Sequence, residues 1–476
     1  MYGDGEINYS DNRFAKTGLR AKKRDSSTKG CGGAHRSLWL QRSPLPDIDS
    51  QEGLRFQVPF MVMYRRDPSM EGKDPVGVIG KALAETLVFY YPLAGRIREG
   101  SDRKLIVNCT AEGVLFIEAD ADVRIDQFGD VLHPPFPCFH ELLYQVPGSQ
   151  GITNSPLLLI QVTRLKCGGF ILAIRLNHAV TDAPGLLQFL KALSVIAKGS
   201  SQPSIIPVWH RELLTARNPP RVTRNHHEYD DPLPYINQLH PIFMSVPPQD
   251  IVQRSFFVRP SQIVALRRQL PNHLAQSPTF DVLAACLWRC RTIALRPPPE
   301  AEVLLMSIVG VRSLLKPQLP VGYYGNGFVY PAAVSAAGKL MDNHFGYALG
   351  LIRKEKAAVD EEHVQSLLDL TVAKGRPHHT TVRSFMVMDM TRAGFGDVDV
   401  GWGKAVYGGL AYGLSSIVPE ITSNFMPSRN SKGERFIGMP ISLPAQAMEA
   451  FARELSEMLS GEEDPSISAS RMKSSI

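Results

Sequence analysis

From residue 47 onward, short apolar runs alternate with longer stretches whose apolar positions recur every three or four residues. The first, 54–64 (LRFQVPFMVMY), is rich in aromatic and β-favouring residues and predicts a strand. Asp74-Pro75 then opens a helix, because Asp caps the first turn and Pro fits it. Val76, Ile79, Leu83 and Leu87 fall on one face of that helix. Short strands follow at 105–107 and 114–118 around the Glu112-Gly113 turn. The segments LLLIQVTRL and FILAIRL predict two more, joined at Cys167-Gly168-Gly169. A helix runs from about 183 to 198, with Gly199 placed to stop it. Residues 200–250, rich in Pro, His and charge, have the composition of an interdomain crossover. The pattern restarts with a strand near 254–258 and a long apolar helix from 279 to about 295. It ends in an amphipathic helix with Met448, Phe451, Leu455, Met458 and Leu459 on one face.

Strands followed by helices in both halves predict an α/β fold of two related domains, and 476 residues are long for a single core. The expected layout is a tail at 1–45, a first domain at 46–199, the crossover at 200–250 and a second domain at 251–476. The tail is polar and without apolar periodicity, which predicts disorder or an atypical start.

Composition narrows the function classes. Hydrophobic residues make up 44% and charged ones 21%, as in soluble globular proteins. No apolar run approaches the roughly 18–20 residues that cross a bilayer, so no membrane partner is expected. The net charge is +6, but residues 1–45 carry nine Lys/Arg against four acids, leaving the folded body near neutral. That excludes nucleic acid as its partner on electrostatic grounds. Six scattered cysteines with no C-x-x-C pair suit free thiols in a reducing, cytoplasmic setting. Cys286 and Cys290, four apart on the predicted helix, fit buried small residues.

H-x-x-x-D occurs three times, at His178/Asp182, His226/Asp230 and His227/Asp231. The last two lie in the polar crossover RNHHEYDD, whereas His178 directly follows a strand and Asp182 starts the next helix. Rigid elements on both sides are what a catalytic group requires. A histidine with a reference pKa of about 6.5 is mostly neutral at pH 7 and can take a proton from an alcohol. Asp182 has two readings, orienting the imidazole or capping the helix and pairing structurally. His226, His227 and Asp230 suggest a metal site only weakly, and a solvated loop is the expectation, with no metal. His378-His379 is either a surface pair or the border of a substrate channel. Neither a G-x-S-x-G elbow nor a phosphate-binding G-x-x-x-x-G-K-[ST] loop is present.

The setting LNHAVTDAPGLLQFL resembles the H-x-x-x-D signature of the BAHD acyltransferases, and Asp399-Val400-Gly401-Trp402-Gly403 is similar to that family's D-F-G-W-G. YYPLAGR, TFDVLAACLWRCRT and LPVGYYGN match too, so the likeness covers about residues 47 to 459. DIDSQEGLRFQ, LPNHL and KGRPH resemble the alcohol acyltransferase branch most. The resemblance implies a two-domain, chloramphenicol-acetyltransferase-like α/β fold with mixed sheets, flanking helices and a channel between domains. It implies a monomer that joins an acyl-CoA donor (benzoyl-, anthraniloyl- or acetyl-CoA) to a benzyl or short aliphatic alcohol. His178 would be the general base in a ternary complex, and acyl-CoA a co-substrate with no permanently bound cofactor. Asp182 would pair structurally with Arg312, and Asp399, Gly401, Trp402 and Gly403 would support the region near the CoA entrance. Arg267 and Arg268 stand where basic residues meet CoA phosphates, or else form a solvated helix face. Three departures stand out. Val400 replaces the family's Phe, Gly310 stands where Asn or Asp is usual, and residues 1–45 lack the family's first strand and P-x-x-x-T-P stretch. The last of these raises the alternative of a catalytically impaired homologue that still binds acyl-CoA.

Overall fold

The structure, a computed structural model, describes residues 20–26, 42–230, 250–411 and 421–460. Two six-stranded mixed sheets organise it. The first has the order Arg20–Ser26, Val114–Ala121, Leu158–Leu165, Phe170–Asn177, Gln57–Tyr64 and Tyr407–Leu410. The second runs Ala332–Ala336, Glu302–Ser307, Ser384–Asp389, Thr422–Arg429, Arg435–Pro444 and Ile251–Val258. Most neighbours are antiparallel, but Val114–Ala121 pairs in parallel with Leu158–Leu165, as Ser384–Asp389 does with both Glu302–Ser307 and Thr422–Arg429.

Leu158–Leu165 carries apolar residues on both faces because both are covered. Leu158, Ile160 and Val162 enter one core, while Leu159 and Leu165 enter another behind the sheet. The helices Pro75–Phe89 and Ala183–Ala197 close the first core. Each starts on an aspartate that accepts a backbone N–H, Asp74 from Val76 and Asp182 from Gly185. In the second half Thr279–Leu295 is the central helix, packed against Phe345–Ala357 and the amphipathic Ala445–Ser460. Burial of Cys286 and Cys290 fits their place on it. Among the described residues no helix is long and apolar enough to cross a membrane.

Three features correct the expected layout. First, Arg20–Ser26 lies on the outer edge of the first sheet, antiparallel to Val114–Ala121. An edge strand joins through backbone hydrogen bonds, so it shows no apolar alternation for a sequence reading to catch. Residues 1–19 and 27–41 of the expected tail lie outside the described residues. Second, 251–476 is not self-contained, since Tyr407–Leu410 completes the first sheet beside Gln57–Tyr64. Phe395, Val398, Val400 and Trp402 likewise sit in the first core. Third, the crossover packs against the body at points between 208 and 229, although 218–225 is exposed. Val208 bridges to Tyr323, and Leu214 and Tyr229 are buried with Val311 and Leu367. Residues 231–249 of it lie outside the described residues.

Candidate active site

His178 is the first residue after the strand Phe170–Asn177 and is half-buried. Its own N–H donates to the Phe56 carbonyl at 2.9 Å, and the Asn177 side chain accepts from the Ala179 N–H at 3.1 Å. Phe56 stands edge-on to the imidazole with ring centres 5.1 Å apart, and Phe328 lies 5.9 Å away on a tilt. Nδ1 is buried, so Nε2 is the ring nitrogen a substrate can reach. Burial pushes the pKa of His178 down from its usual value. The ring's own backbone carbonyl, the Asp182 charge and the Asn326 side chain act against that shift. At neutral pH the imidazole is therefore held in its proton-accepting form.

The loop from His178 to Asp182 is held by three groups from distant parts of the chain. Asn326 Nδ2 donates to the His178 carbonyl at 2.8 Å. Arg211 Nη2 donates to the Val180 carbonyl at 2.8 Å. Arg312 places both terminal nitrogens 2.8 Å from the two Asp182 oxygens and also donates to the Gly325 carbonyl. Asp182 further accepts the N–H groups of Gly185 at 2.9 Å and Gly327 at 3.1 Å. Those four donors occupy the carboxylate, so Asp182 caps and pairs, and it reaches the imidazole only through its charge. Position 327 needs glycine for this approach, since a Cβ there would lie 2.9 Å from Arg312 Nη1.

Asp49 joins two of these holding groups. Its Oδ1 accepts from the backbone and side-chain nitrogens of Asn326, at 3.2 and 2.8 Å, and its Oδ2 accepts from Arg211 Nη1 at 2.7 Å. The Asn326 amide orientation follows from these contacts, because only its NH2 can face a carboxylate and a carbonyl together. Asn326 Oδ1 and His178 Nδ1 are both buried and lack a partner at full hydrogen-bond geometry. The amide is still close enough to raise the basicity of the ring. Asp49, Arg211 and Asn326 were not assigned in the sequence reading. Asp49 and Asn326 stood inside matched stretches, DIDSQEGLRFQ and LPVGYYGN, without being singled out, and Arg211 stood in none.

The other expected residues are dispersed. The Asp399 carboxylate accepts the N–H groups of Gly401 and Gly403 at 2.8 and 2.9 Å and pairs with Lys198 at 3.3 Å. Trp402 packs edge-on against Phe170, 5.2 Å away, and Val400 is fully buried. Gly310 occupies the short pairing with Phe328, where a Cβ would meet nothing. Arg267 directs its guanidinium at the carbonyls of Ala275 and Ser277 and the Thr279 hydroxyl, and Arg268 is exposed on the last turn of Pro260–Arg268. A cavity of about 450 Å³ in the second half is lined instead by Arg392, Arg429 and Arg435 with Thr279 and Phe280. A larger one of about 890 Å³ adjoins it through Thr391, Pro427 and Arg429 and reaches Gly394 and Lys404. His178 lines neither.

Two histidine pairs split. His227 is half-buried and meets Asp230 at 2.7 Å, but His226 is buried, contrary to a solvated loop. His226, Glu228 and His363 bring ligand-type atoms within 4.8 Å of one another. Ser366 Oγ already accepts the N–H groups of Thr223 and Arg224, so its single proton goes to His226 Nε2. That leaves Nδ1–H facing Glu228 at 3.4 Å, while His363 Nε2 is buried without a hydrogen-bond partner. His378 is exposed, whereas His379 stacks on Tyr229, and burial lowers its pKa to about 4.

A profile described as the Transferase family matches residues 34–458. The chain is 58% identical over 418 residues to a benzyl alcohol O-benzoyltransferase of Petunia hybrida, covering 88% of this chain and 90% of that one. Over 421 residues it is 53% identical to 13-hydroxylupanine O-tigloyltransferase of Lupinus albus, with 87% and 90% covered. The crystal structure of vinorine synthase superposes with a TM-score of 0.67 at 19% identity, over 92% of this chain and 98% of the other, a likeness of fold.

Proposed function

Since this chain belongs to the Transferase (BAHD acyltransferase) family, we propose that it is an acyl-CoA-dependent alcohol O-acyltransferase with His178 as its general base. The observation that carries the base assignment is a half-buried imidazole at a strand–helix junction, its loop held from three sides and its proton affinity lowered by burial. In the reaction, His178 Nε2 takes the alcohol proton as the oxygen attacks the thioester carbonyl. The C–S bond then breaks, and the imidazolium returns the proton to the departing thiolate. Donor and acceptor are both bound throughout, with no acyl-enzyme. The relatives support a benzoyl or another small acyl donor and an alcohol acceptor such as benzyl alcohol.

The CoA phosphates belong with Arg392, Arg429 and Arg435 rather than with Arg267 and Arg268. Arg429 and Arg435 are directly opposite each other on paired strands. Like charges so placed repel, and a bound anion relieves them. Arg267 is already committed to backbone carbonyls.

Thiol release from benzoyl-CoA and acetyl-CoA with benzyl alcohol tests the reading. Alcohol-dependent release should fall on the order of a hundredfold or more in His178→Ala. Equal rates in wild type and variant would remove His178 as the base. Arg435→Ala should raise KM for acyl-CoA about tenfold, whereas Arg268→Ala should leave it unchanged.

A further inference from the structure

Asp49 lies far from His178 in sequence and makes no contact with its ring, yet it terminates two of the three holds on the catalytic loop. Asn326 uses one side-chain hydrogen for Asp49 and the other for the His178 carbonyl. Arg211 divides its guanidinium the same way, one nitrogen on Asp49 and one on the Val180 carbonyl. Asp49 and Arg211 are sealed from water, 0% and 1% exposed. A carboxylate with two defined acceptor oxygens thus fixes the angle at which two donors present themselves to the loop. We propose that ionised Asp49 is a positioning residue for acyl transfer, setting through Asn326 and Arg211 the backbone that aims the His178 imidazole. This rests on His178 being the base.

The charge state of Asp49 matters because a protonated carboxyl would present a donor to Asn326 or Arg211 in place of an acceptor. Burial pushes its pKa up to about 6, with Arg211 and Asn326 pulling it down and Asp182 adding to the rise. Facing it are Arg211 from the crossover, Tyr323 and Asn326 from the turn before Phe328, and Asp182 at the helix start, with Arg312 beyond. On its own segment Asp47 is turned to Arg376 and Lys104. Activity that needs ionised Asp49 is present above about pH 6 and is lost as pH falls through it. Deprotonation of His178 is required in the same direction, so two groups shape the acid limb.

Asp49→Asn keeps the shape, removes the charge and turns an NH2 or an amide oxygen to Arg211. Purified variant and wild type are compared in kcat, in KM for both substrates, in melting temperature and in pH profile from 5 to 8. The expected result is a kcat reduced on the order of a hundredfold, with both KM values within about twofold of wild type. The acid limb of log kcat should become shallower, two groups giving way to one. Asn326→Ala keeps the Asp49–Arg211 pair while cutting the link to His178, and should show the same kcat loss if Asp49→Asn does not fold. A wild type that turns over with Asp49→Asn or Asn326→Ala at wild-type kcat would overturn this inference alone. So would a loss in kcat matched by rises in both KM values, or an acid limb of unchanged slope in Asp49→Asn. A wild type without turnover on either thioester would overturn the function reading as well.

Discussion

On one side of the His178 loop Asp182 holds Arg312 at 2.8 Å, with the arginine side chain 28% exposed. On the other side Asp49 holds Arg211 at 2.7 Å, and neither is more than 1% exposed. The chemistry of the two pairs is the same, but the solvent is not. Water still reaches Arg312, although Asp182 itself is only 3% exposed, and Asp182 has two backbone amides besides, so that pair has reserves. The inner pair has given up its hydration and depends on mutual charge plus the Asn326 and Val180 hydrogen bonds. Aromatic faces cover Arg211 as well, with Trp209 4.3 Å and Tyr324 5.0 Å from its guanidinium carbon. The outer pair ties the two halves together. The inner pair ties three chain segments to the loop of the base, and breaking it leaves a stranded charge.

The largest effect expected from this contrast is Arg211→Met, which strips Asp49 of its charge partner in a dry site and drives its pKa further up. It should cost ~3–5 kcal/mol at pH 7 in chemical denaturation. The loss should shrink at pH 5, where Asp49 takes up a proton. Arg312→Met should cost less, about 1–3 kcal/mol, because Gly185 and Gly327 still satisfy Asp182. Equal costs for the two would break the contrast between wet and dry pairs.

Acid should separate the inner aspartate from the buried histidines. Burial lowers His133 and His379 to about 4, so their contribution is fully present above the ordinary histidine value of about 6.5 and is lost as pH falls through 4. Asp49 works the other way. Its raised pKa gives a contribution present below the usual carboxylate range and lost as pH rises through about 6. Net stability should therefore decline on acidification from 6.5 to 4, more gently than the histidines alone would give. Replacing Asp49 with Asn should steepen that decline, read as melting temperature against pH. The smallest effect is expected at Lys198→Met, whose surface pair with Asp399 should be worth at most about 1 kcal/mol.

Local pattern alone determined much of this protein. Asp74 and Asp182 could be read as caps, 279–295 as a buried helix and Phe170–Asn177 as a strand, because each depends on residues within a few positions. His178 stood out for the same reason, its strand and helix being adjacent in the chain. The edge strand Arg20–Ser26 was not legible, since edge pairing needs only a neighbour's backbone. Nor was the place of Tyr407–Leu410 in the first sheet. The convergence of Asp49, Arg211 and Asn326 on one loop carries no short-range signal, because the contacts span from 148 to 277 positions along the chain for Asn326 alone. Nor could the partners of Arg267 be read, because sequence displays a charge but not the carbonyls that engage it. The sequence determined which groups could do the chemistry. Tertiary structure decided which of them are dry, which are held and by what, because burial and distant hydrogen-bond partners exist only once the chain has closed on itself.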